Sequence, residues 1–186
     1  MVRAEDHEAI RLLRSRNPRG FELAYATYAA RLRAFLWRLA GRKDVADDLL
    51  QHTFLKLAER GPELRVDSDL HAWLFTVARN AYYSQQRIPV PLDEAVLEAV
   101  PSPALDVEAR LSLGEVERAL GELSSSDREL LLLIGAEGLS QECVAEMLEI
   151  EPAALRQRLS RARVRLMAVL ERGPRRLEAS AKGNTR

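Results

Sequence analysis

The sequence predicts an all-α protein made of two small helical domains joined by a flexible linker. Ala, Leu, Arg and Glu dominate the composition, whereas glycine is sparse and β-branched residues are few. Apolar residues recur at three- and four-residue spacing along most of the chain, and no segment shows the alternation of a strand. Prolines cluster between residues 88 and 103, where the helical pattern stops, and this cluster predicts the linker.

The first domain, residues 1–86, is predicted to be a bundle of four helices with short connections. The helices are expected over residues 1–16, 20–40, 44–60 and 69–86. Gly41 is expected to end the second helix, and Asp44 to cap the third. The apolar stripe of the third helix includes Leu55, and Gly61-Pro62 stops that helix before a polar loop.

The second domain, residues 111–172, follows a Pro-rich acidic linker at residues 87–110. Its helices are expected over residues 111–123 and 128–136, and a helix-turn-helix over residues 139–166 follows them. Residues 173–186 are expected to form a disordered tail.

The helix-turn-helix is predicted from its caps and its periodicity. Ser140 is a good N-cap, the pattern breaks at residues 149–151, and Pro152 stands where a second helix can begin. Four apolar residues of that helix share the core face: Leu155, Leu159, Ala162 and Leu166. A 100° step per residue then turns five others outward: Ala153, Ala154, Gln157, Ser160 and Arg161.

Charge is segregated along a chain whose formal net charge is zero. Residues 1–86 carry 14 basic and 11 acidic side chains, residues 87–127 carry 3 and 9, and residues 128–186 carry 11 and 8. From Pro152 to Arg176 there are eight arginines and one acid. This pattern predicts two modules that touch a polyanion and a connector that does not.

No motif typical of a catalytic, metal-binding or phosphate-binding site is visible. The three histidines are scattered, Cys143 is the single cysteine, and there is no Gly-rich phosphate loop. We therefore expect no metal, no cofactor and no enzymatic activity. Without a long apolar run or a signal-peptide pattern, the protein is expected in the cytoplasm with no membrane insertion.

The fourth helix is rich in aromatic and amide side chains, which can stack on and hydrogen-bond to unpaired bases. Asn80 and Tyr83 are the candidates for its outer face. Trp73 and Phe75 are at least as well explained as core residues.

Two stretches resemble the conserved domains of extracytoplasmic-function (ECF) sigma factors of RNA polymerase. LGELSSSDRELLLLIGAEGLSQECVAEMLEIEPAALRQRLSRARVRL is similar to their promoter-binding C-terminal domain, which carries sigma region 4. DLLQHTFLKLAER, followed by DLHAWLFTVARNAYYSQQR, is similar to their other conserved domain, sigma region 2. The resemblance covers roughly residues 20–86 and 115–170 and implies a bacterial initiation factor that binds core RNA polymerase and directs it to promoter DNA.

The resemblance also implies roles for particular residues. It assigns the docking on core polymerase to three residues of the third helix: Asp48, Gln51 and Lys56. The loop of residues 61–67 and the fourth helix would melt the minus-ten element and capture a flipped base, with Arg79, Asn80, Tyr83 and Arg87 as contacts. In the minus-thirty-five element, base edges would be read by Gln157, Ser160 and Arg161, and phosphates held by Arg156, Arg158 and Arg163.

Glu149 occupies a turn position where the family often has glycine. If the backbone there is left-handed, a glutamate costs roughly 1 kcal/mol.

Two other functions remain open from the sequence. One is a sigma-like decoy that binds an anti-sigma protein without acting at promoters. The other is a dimeric repressor, which would need a self-association surface that the sequence does not reveal. For the leading function, an anti-sigma factor is an expected partner, and the free protein is expected to be a monomer.

Overall fold

The computed structural model describes residues 4–86 and 113–183, and within these ranges it contains helices and turns and no strand. The chain divides into two compact units, Met1–Leu92 and Asp93–Arg186. The prediction of an all-α protein with two helical domains is confirmed. The predicted linker at residues 87–110 lies outside the described residues.

Four helices and one 3-10 turn form the first unit. They are α1 (Ala4–Arg14), α2 (Pro18–Ala40), α3 (Lys43–Arg60), the 3-10 turn Gly61–Glu63, and α4 (Leu70–Gln86). Gly41 ends α2 in the left-handed region at φ 71°, as predicted. The bundle matches the predicted four helices within a few residues at each end.

The core of the first unit is packed around α2 and α4. Phe35 and Phe75 meet edge to face with ring centroids 5.2 Å apart, and both are buried. Tyr28 stacks on His71 at 5.5 Å. The hydroxyl of Tyr28 also donates a hydrogen bond of 2.5 Å to the buried carboxylate of Asp6. Because Asp6 belongs to α1, this bond fixes α1 to the bundle.

Gly20 allows α1 and α2 to cross at very short distance. A Cβ atom at Gly20 would lie 2.6 Å from the amide nitrogen of Leu13 and 2.9 Å from the carbonyl oxygen of Ala9. Both neighbours are backbone atoms of α1, which cannot rotate away as a side chain could. The crossing therefore requires glycine at this position.

Two predictions for α3 were wrong. Arg42, not Asp44, occupies the N-cap position, and it makes no capping hydrogen bond with its side chain. The carboxylate of Asp44 instead accepts hydrogen bonds from the Arg42 guanidinium in the first turn. Leu55, predicted within the apolar stripe, is 56% exposed, because it lies on the opposite side of the helix from Leu49 and Leu57.

In the second unit, the described residues form four α-helices: α5 (Leu113–Glu122), α6 (Ser125–Leu131), α7 (Gln141–Leu148) and α8 (Pro152–Gly183). Ser140 caps α7 by accepting a hydrogen bond from the amide of Cys143, and α8 begins at Pro152, as predicted. α8 extends to Gly183, and the disorder expected for residues 173–186 stays a prediction. Apart from Gly173, Pro174 and Gly183, this segment contains mostly good helix formers.

A π-helical turn at Leu132–Ala136 separates α6 from α7. Its signature is the amide of Glu137, which donates to the carbonyl of Leu132 five residues earlier at 2.9 Å. Gly138 then takes a left-handed conformation at φ 69°. The predicted helix 128–136 therefore begins earlier, at Ser125, and ends in a wider turn than an α-helix has.

The turn of the helix-turn-helix has a left-handed backbone, which is the conformation in which glutamate is unfavourable at this position. Glu149 is left-handed, with φ 55° and ψ 40°. The amide of Ile150 donates to the carbonyl of Ala145 at 3.1 Å, which closes α7 in the manner of a Schellman motif. The backbone cost of roughly 1 kcal/mol for a glutamate applies here.

The core of the second unit joins α5, α6, the π-helical turn, α7 and α8. Its most deeply buried side chains, each at most 1% exposed, are Ala119, Leu130, Leu133, Val144, Leu155 and Ala162. Leu155 and Ala162 confirm the predicted core face of α8. No helix in the described ranges is long and apolar enough to cross a membrane.

Candidate functional site

The outward face of α3 carries Asp48 and Gln51, two of the three residues predicted to bind core polymerase. Both are exposed, and Leu55 shares their face because residues three, four and seven apart lie on one side of a helix. Leu55 is the most exposed large apolar side chain among the described residues. Leu55 adjoins an apolar groove lined by Phe21, Tyr25 and Phe54, and a contiguous exposed apolar patch is typical of a surface that binds another protein.

An apolar groove of about 340 Å³ runs beside this face, between α2 and α3. Tyr25 and Phe54 form its aromatic wall, with ring centroids 4.8 Å apart. At its edge, the Arg33 guanidinium donates hydrogen bonds of 2.6 and 3.0 Å to the two carboxylate oxygens of Asp47. These bonds hold the pKa of Asp47 below its ordinary value. The groove therefore has an apolar floor and an ionised rim.

Lys56 faces the other side of α3, toward a groove of about 590 Å³ between α3 and α4. It pairs there with Glu59 at 2.7 Å. Asp48, Trp73 and Asn80 also line this groove. The structure thus brings Asp48, Lys56 and Asn80 to one groove, whereas Gln51 faces the groove between α2 and α3.

Arg79 and Tyr83, predicted to contact the minus-ten element, are buried at 4% and 2% exposure. Their predicted accessibility was wrong. The guanidinium of Arg79 lies over the ring of Tyr83, 4.9 Å from its centroid, and Tyr83 packs edge to face against Tyr82 at 5.2 Å. More than half of the circumference of α4 is covered by the bundle, which the sequence pattern alone did not reveal.

Asn80 remains exposed, as predicted. Its side-chain oxygen accepts a hydrogen bond of 3.0 Å from Arg79, so the buried arginine orients the amide. Arg87, the fourth predicted contact, lies outside the described residues. Asn80 is therefore the one member of that set that the structure describes as accessible.

The loop between α3 and α4 presents an apolar tip. Val66 is 47% exposed, whereas Leu64 is buried. The two residues that flank Val66, Arg65 and Asp67, are joined by hydrogen bonds of 3.0 and 2.7 Å. The Arg65 guanidinium holds the pKa of Asp67 below its ordinary value, so this surface pair stays ionised.

In the second unit, the first turns of α8 present part of the predicted DNA-reading face. Ala153, Ala154 and Arg156 are exposed, and Gln157 and Arg161 are half-buried. Arg156 also lies near α7. The pKa of Glu142 is lowered by its own backbone amide and by the Ser140 hydroxyl, with a smaller contribution from the charge of Arg156.

Ser160 and Arg158 differ from the prediction, because they are only 5% and 8% exposed. Arg158 precedes the core residue Leu159, so its aliphatic stem lies at the boundary of the core. Ser160 extends one heavy atom beyond its Cβ, and Arg156 and Arg163 stand one helical turn away on either side, where long side chains can cover it. The predicted outward orientation of Ser160 and the accessibility of Arg158 were wrong.

Arg163 is half-buried, and its Nε is buried with no hydrogen-bond partner. Arg165, which flanks the same face, donates to Asp127 of α6 at 2.7 Å, so its guanidinium is engaged within the unit. Among the described side chains, no group of three or more His, Cys, Asp or Glu residues could hold a metal ion.

Several residues that shape these surfaces were missed by sequence reasoning. Leu55 could have been found from a helical wheel, since it lies opposite Leu49 and Leu57. Arg14 and His7 of α1 bond to the loop between α3 and α4, and they carry no sequence signal because their partners are backbone carbonyls 50 and 59 residues away.

Two family models match the two units separately. Sigma-70 region 2 matches residues 24–87, and Sigma-70, region 4 matches residues 113–166. The chain is also 34% identical over 142 residues to the ECF RNA polymerase sigma factor EcfG of Rhodopseudomonas palustris. That alignment covers 75% of this chain and 78% of EcfG.

Two solved structures are similar to this one. The first is the sigma factor RpoE in complex with the anti-sigma factor NepR from Bartonella quintana, with a TM-score of 0.64 and 35% identity over 81% of this chain and 96% of that chain. The second is CnrH in complex with the cytosolic domain of CnrY, with a TM-score of 0.70 and 25% identity over 91% of this chain and 99% of that chain.

Proposed function

The chain belongs to the extracytoplasmic-function family of RNA polymerase sigma factors, which direct transcription initiation; from this premise we propose that it binds core RNA polymerase and promoter DNA, with a separate role for each of its two units. The first unit docks on core polymerase and holds the melted minus-ten element. The second unit binds the minus-thirty-five element. RNA synthesis itself belongs to the core enzyme, and this chain contributes binding.

The core-binding surface is proposed to be the outward face of α3. The observation that carries this proposal is Leu55, 56% exposed on the same face as Asp48 and Gln51. A protein partner would bury the leucine, while the carboxylate and the amide would fix the register of docking. Lys56 is proposed to act at the groove between α3 and α4, because it lines that groove.

The groove between α3 and α4 is proposed to hold the unpaired minus-ten strand. It combines an aromatic ring, Trp73, with an exposed amide, Asn80, and with the cationic side chains of Lys56 and Arg60. Stacking, hydrogen bonding and phosphate attraction are the three interactions that single-stranded nucleic acid offers. Arg79 and Tyr83 support this surface from beneath, because Arg79 donates to Asn80.

The N-terminal half of α8 is proposed to enter the major groove of the minus-thirty-five element. Gln157 and Arg161 would reach base edges, since an amide and a guanidinium can make the directional bonds that distinguish bases. Arg156, with Arg163 beside the same face, would hold phosphates. Ser160 and Arg158 have no direct contact in this proposal because both are buried.

The proposal is tested by run-off transcription. The purified chain is added to core RNA polymerase and a library of genomic promoter fragments, and we expect transcripts from a small set of promoters that core enzyme alone does not transcribe. Failure to bind core polymerase, together with the absence of any specific transcript, would contradict it.

An anti-sigma protein is a proposed partner. One structural relative, RpoE of Bartonella quintana, was solved with the anti-sigma factor NepR bound, and a second, CnrH, was solved with the cytosolic domain of CnrY bound. By likeness to them, we propose that a protein of this class holds the present chain inactive and competes with core polymerase for it.

Gln157→Ala is expected to relax base preference at one position of the minus-thirty-five element by about 1 kcal/mol. This is the lower end of the range for a direct base contact, because Gln157 is half-buried. The measurement is holoenzyme binding to a promoter and to every single-base variant of the element. A uniform loss at all positions would contradict a base-reading role.

Arg156→Ala is expected to weaken holoenzyme binding to all promoter sequences alike and to reduce the slope of log affinity against log salt by about 1. Arg156 is exposed and near the start of α8, where a phosphate contact carries no sequence information. The control is Arg172→Ala, which removes the same charge about 24 Å farther along the helix. Equal effects of the two variants would contradict a specific phosphate contact.

A further inference from the structure

The backbone of the loop between α3 and α4 is held by side chains from α1. Arg14 donates from Nη1 to the carbonyl oxygen of Leu64 at 2.6 Å. His7 lies with Nδ1 3.1 Å from the carbonyl oxygen of Val66, and because a carbonyl only accepts, that nitrogen carries the proton. The carbonyls of Leu64 and Val66, which are two residues apart in the loop, therefore face α1.

These two bonds determine which side of the loop faces outward. Leu64 is buried, whereas Val66 is 47% exposed. The 3-10 turn before the loop is also packed on α1, since a Cβ atom at Gly61 would lie 3.2 Å from a methyl carbon of Leu13. With its carbonyls turned inward, the loop presents the side chain of Val66 and the Arg65–Asp67 pair to solvent.

Helix α1 is a rigid support for these bonds. It is fixed to α2 by the hydrogen bond from Tyr28 to the buried Asp6 and by the close crossing at Gly20. A guanidinium donating to a neutral carbonyl is among the stronger hydrogen bonds in proteins. The loop is consequently tied to a support that cannot shift without breaking the core of the first unit.

We propose that Arg14 is a positioning residue for minus-ten recognition: through its bond to Leu64, aided by His7 at Val66, it holds the loop in the shape that accepts the flipped base of the melted strand. This inference rests on the proposed function, in which Asn80 meets that strand, and on the family resemblance, which assigns the loop of residues 61–67 to the flipped base. A loop already held in its binding shape loses less entropy when the base enters, so discrimination between bases is sharper.

The test uses the holoenzyme and one promoter obtained by mapping transcript start sites after overproduction of the chain. Transcription is measured from that promoter and from every single-base variant of its minus-ten element, which gives a discrimination ratio. We expect Arg14→Ala to lower this ratio on the order of tenfold, the size of one charge-assisted hydrogen bond. Arg14→Lys should restore most of it, because an ammonium group can donate to the same carbonyl.

The matched control is Arg11→Ala, which removes the same charge from the same helix. The Arg11 side chain is 71% exposed and pairs with Glu8 at 3.2 Å, so this variant should keep the ratio of the wild-type protein. Tryptophan fluorescence during heating checks that the first unit is folded. If Arg14→Ala does not fold, His7→Ala, a change at the surface, is measured in its place and should lower the ratio in the same direction.

The variant Asn80→Ala distinguishes a failure of the positioning role of Arg14 from a failure of the proposed function. A lower ratio for Asn80→Ala with an unchanged ratio for a folded Arg14→Ala would overturn the positioning role and leave the proposed function standing. Unchanged ratios for both variants would overturn the assignment of this surface to the minus-ten strand, and the positioning role with it.

Discussion

Leu55→Asp is expected to weaken the binding of core RNA polymerase about 100-fold, close to 3 kcal/mol. The leucine is 56% exposed, so the substitution removes little from the core of the first unit and should leave its folding intact. In the proposed complex, however, the carboxylate would be buried against the partner without a counter-charge, and it would stand beside Asp48 on the same face. The burial of the carboxylate acts on the complex alone, whereas its repulsion from Asp48 is weak in the free chain, where water screens both groups.

The measurement is a fluorescence titration of the labelled chain with core polymerase. Leu23→Asp is the control, because Leu23 is also an exposed leucine, at 37%, but lies on α2 and lines none of the grooves described above. We expect its affinity to stay within about twofold of the wild-type value. If Leu55→Asp bound as tightly as the wild-type protein, the outward face of α3 would not be the docking surface.

Gly20→Ala is expected to lower the free energy of unfolding of the first unit by about 3 kcal/mol. Overpacking of a core usually costs about 1–3 kcal/mol. The upper end applies here because the atoms met by the new Cβ, at 2.6 and 2.9 Å, belong to the backbone of α1. Relief requires α1 to move away from α2, which strains the bond between Asp6 and Tyr28.

Urea unfolding followed by tryptophan fluorescence measures this effect for the first unit alone, since both tryptophans of the chain, Trp37 and Trp73, lie there. Gly121→Ala is the control, because a Cβ at that exposed position of α5 would meet nothing within 4 Å. It should leave the fluorescence midpoint unchanged. A Gly20→Ala protein with the wild-type midpoint would show that α1 is free to separate from α2.

The existence of the helices and several of their ends were predictable because they depend on local chemistry. Gly41 ends α2, Ser140 caps α7 and Pro152 opens α8, each through interactions within a few residues. Core faces such as Leu155 and Ala162 followed from the 3.6-residue period. These features need no knowledge of what lies elsewhere in the chain.

The errors arose where exposure depends on distant neighbours. Tyr83 was expected on an outer face and is 2% exposed, because the bundle covers more than one side of α4. Ser160 was expected outward and is buried, although it lies far from the core direction on a helical wheel. Periodicity identifies the apolar side of a helix and gives no information about which of its polar positions another segment or a long side chain covers.

The bonds from Arg14 and His7 to the loop between α3 and α4 were not predictable for a different reason. Arg14 recognises a main-chain carbonyl that every amino acid possesses, so no residue type at position 64 signals the contact. Sequence resemblance assigned the loop to the minus-ten strand without indicating what holds it in shape. Only the packing of α1 against the 3-10 turn brings donor and acceptor together.

The π-helical turn at Leu132–Ala136 has a consequence for protein engineering. A π-turn contains one residue more than an α-turn of the same span, and the helix ends within it, because Gly138 turns the chain at φ 69° before α7 begins. Deleting one residue here, such as Gly135, would shorten the connection to α7 and force α7 to shift on α8. Insertions and deletions at this position are therefore expected to disturb the packing of α7 on α8, even when every side chain of those two helices is kept.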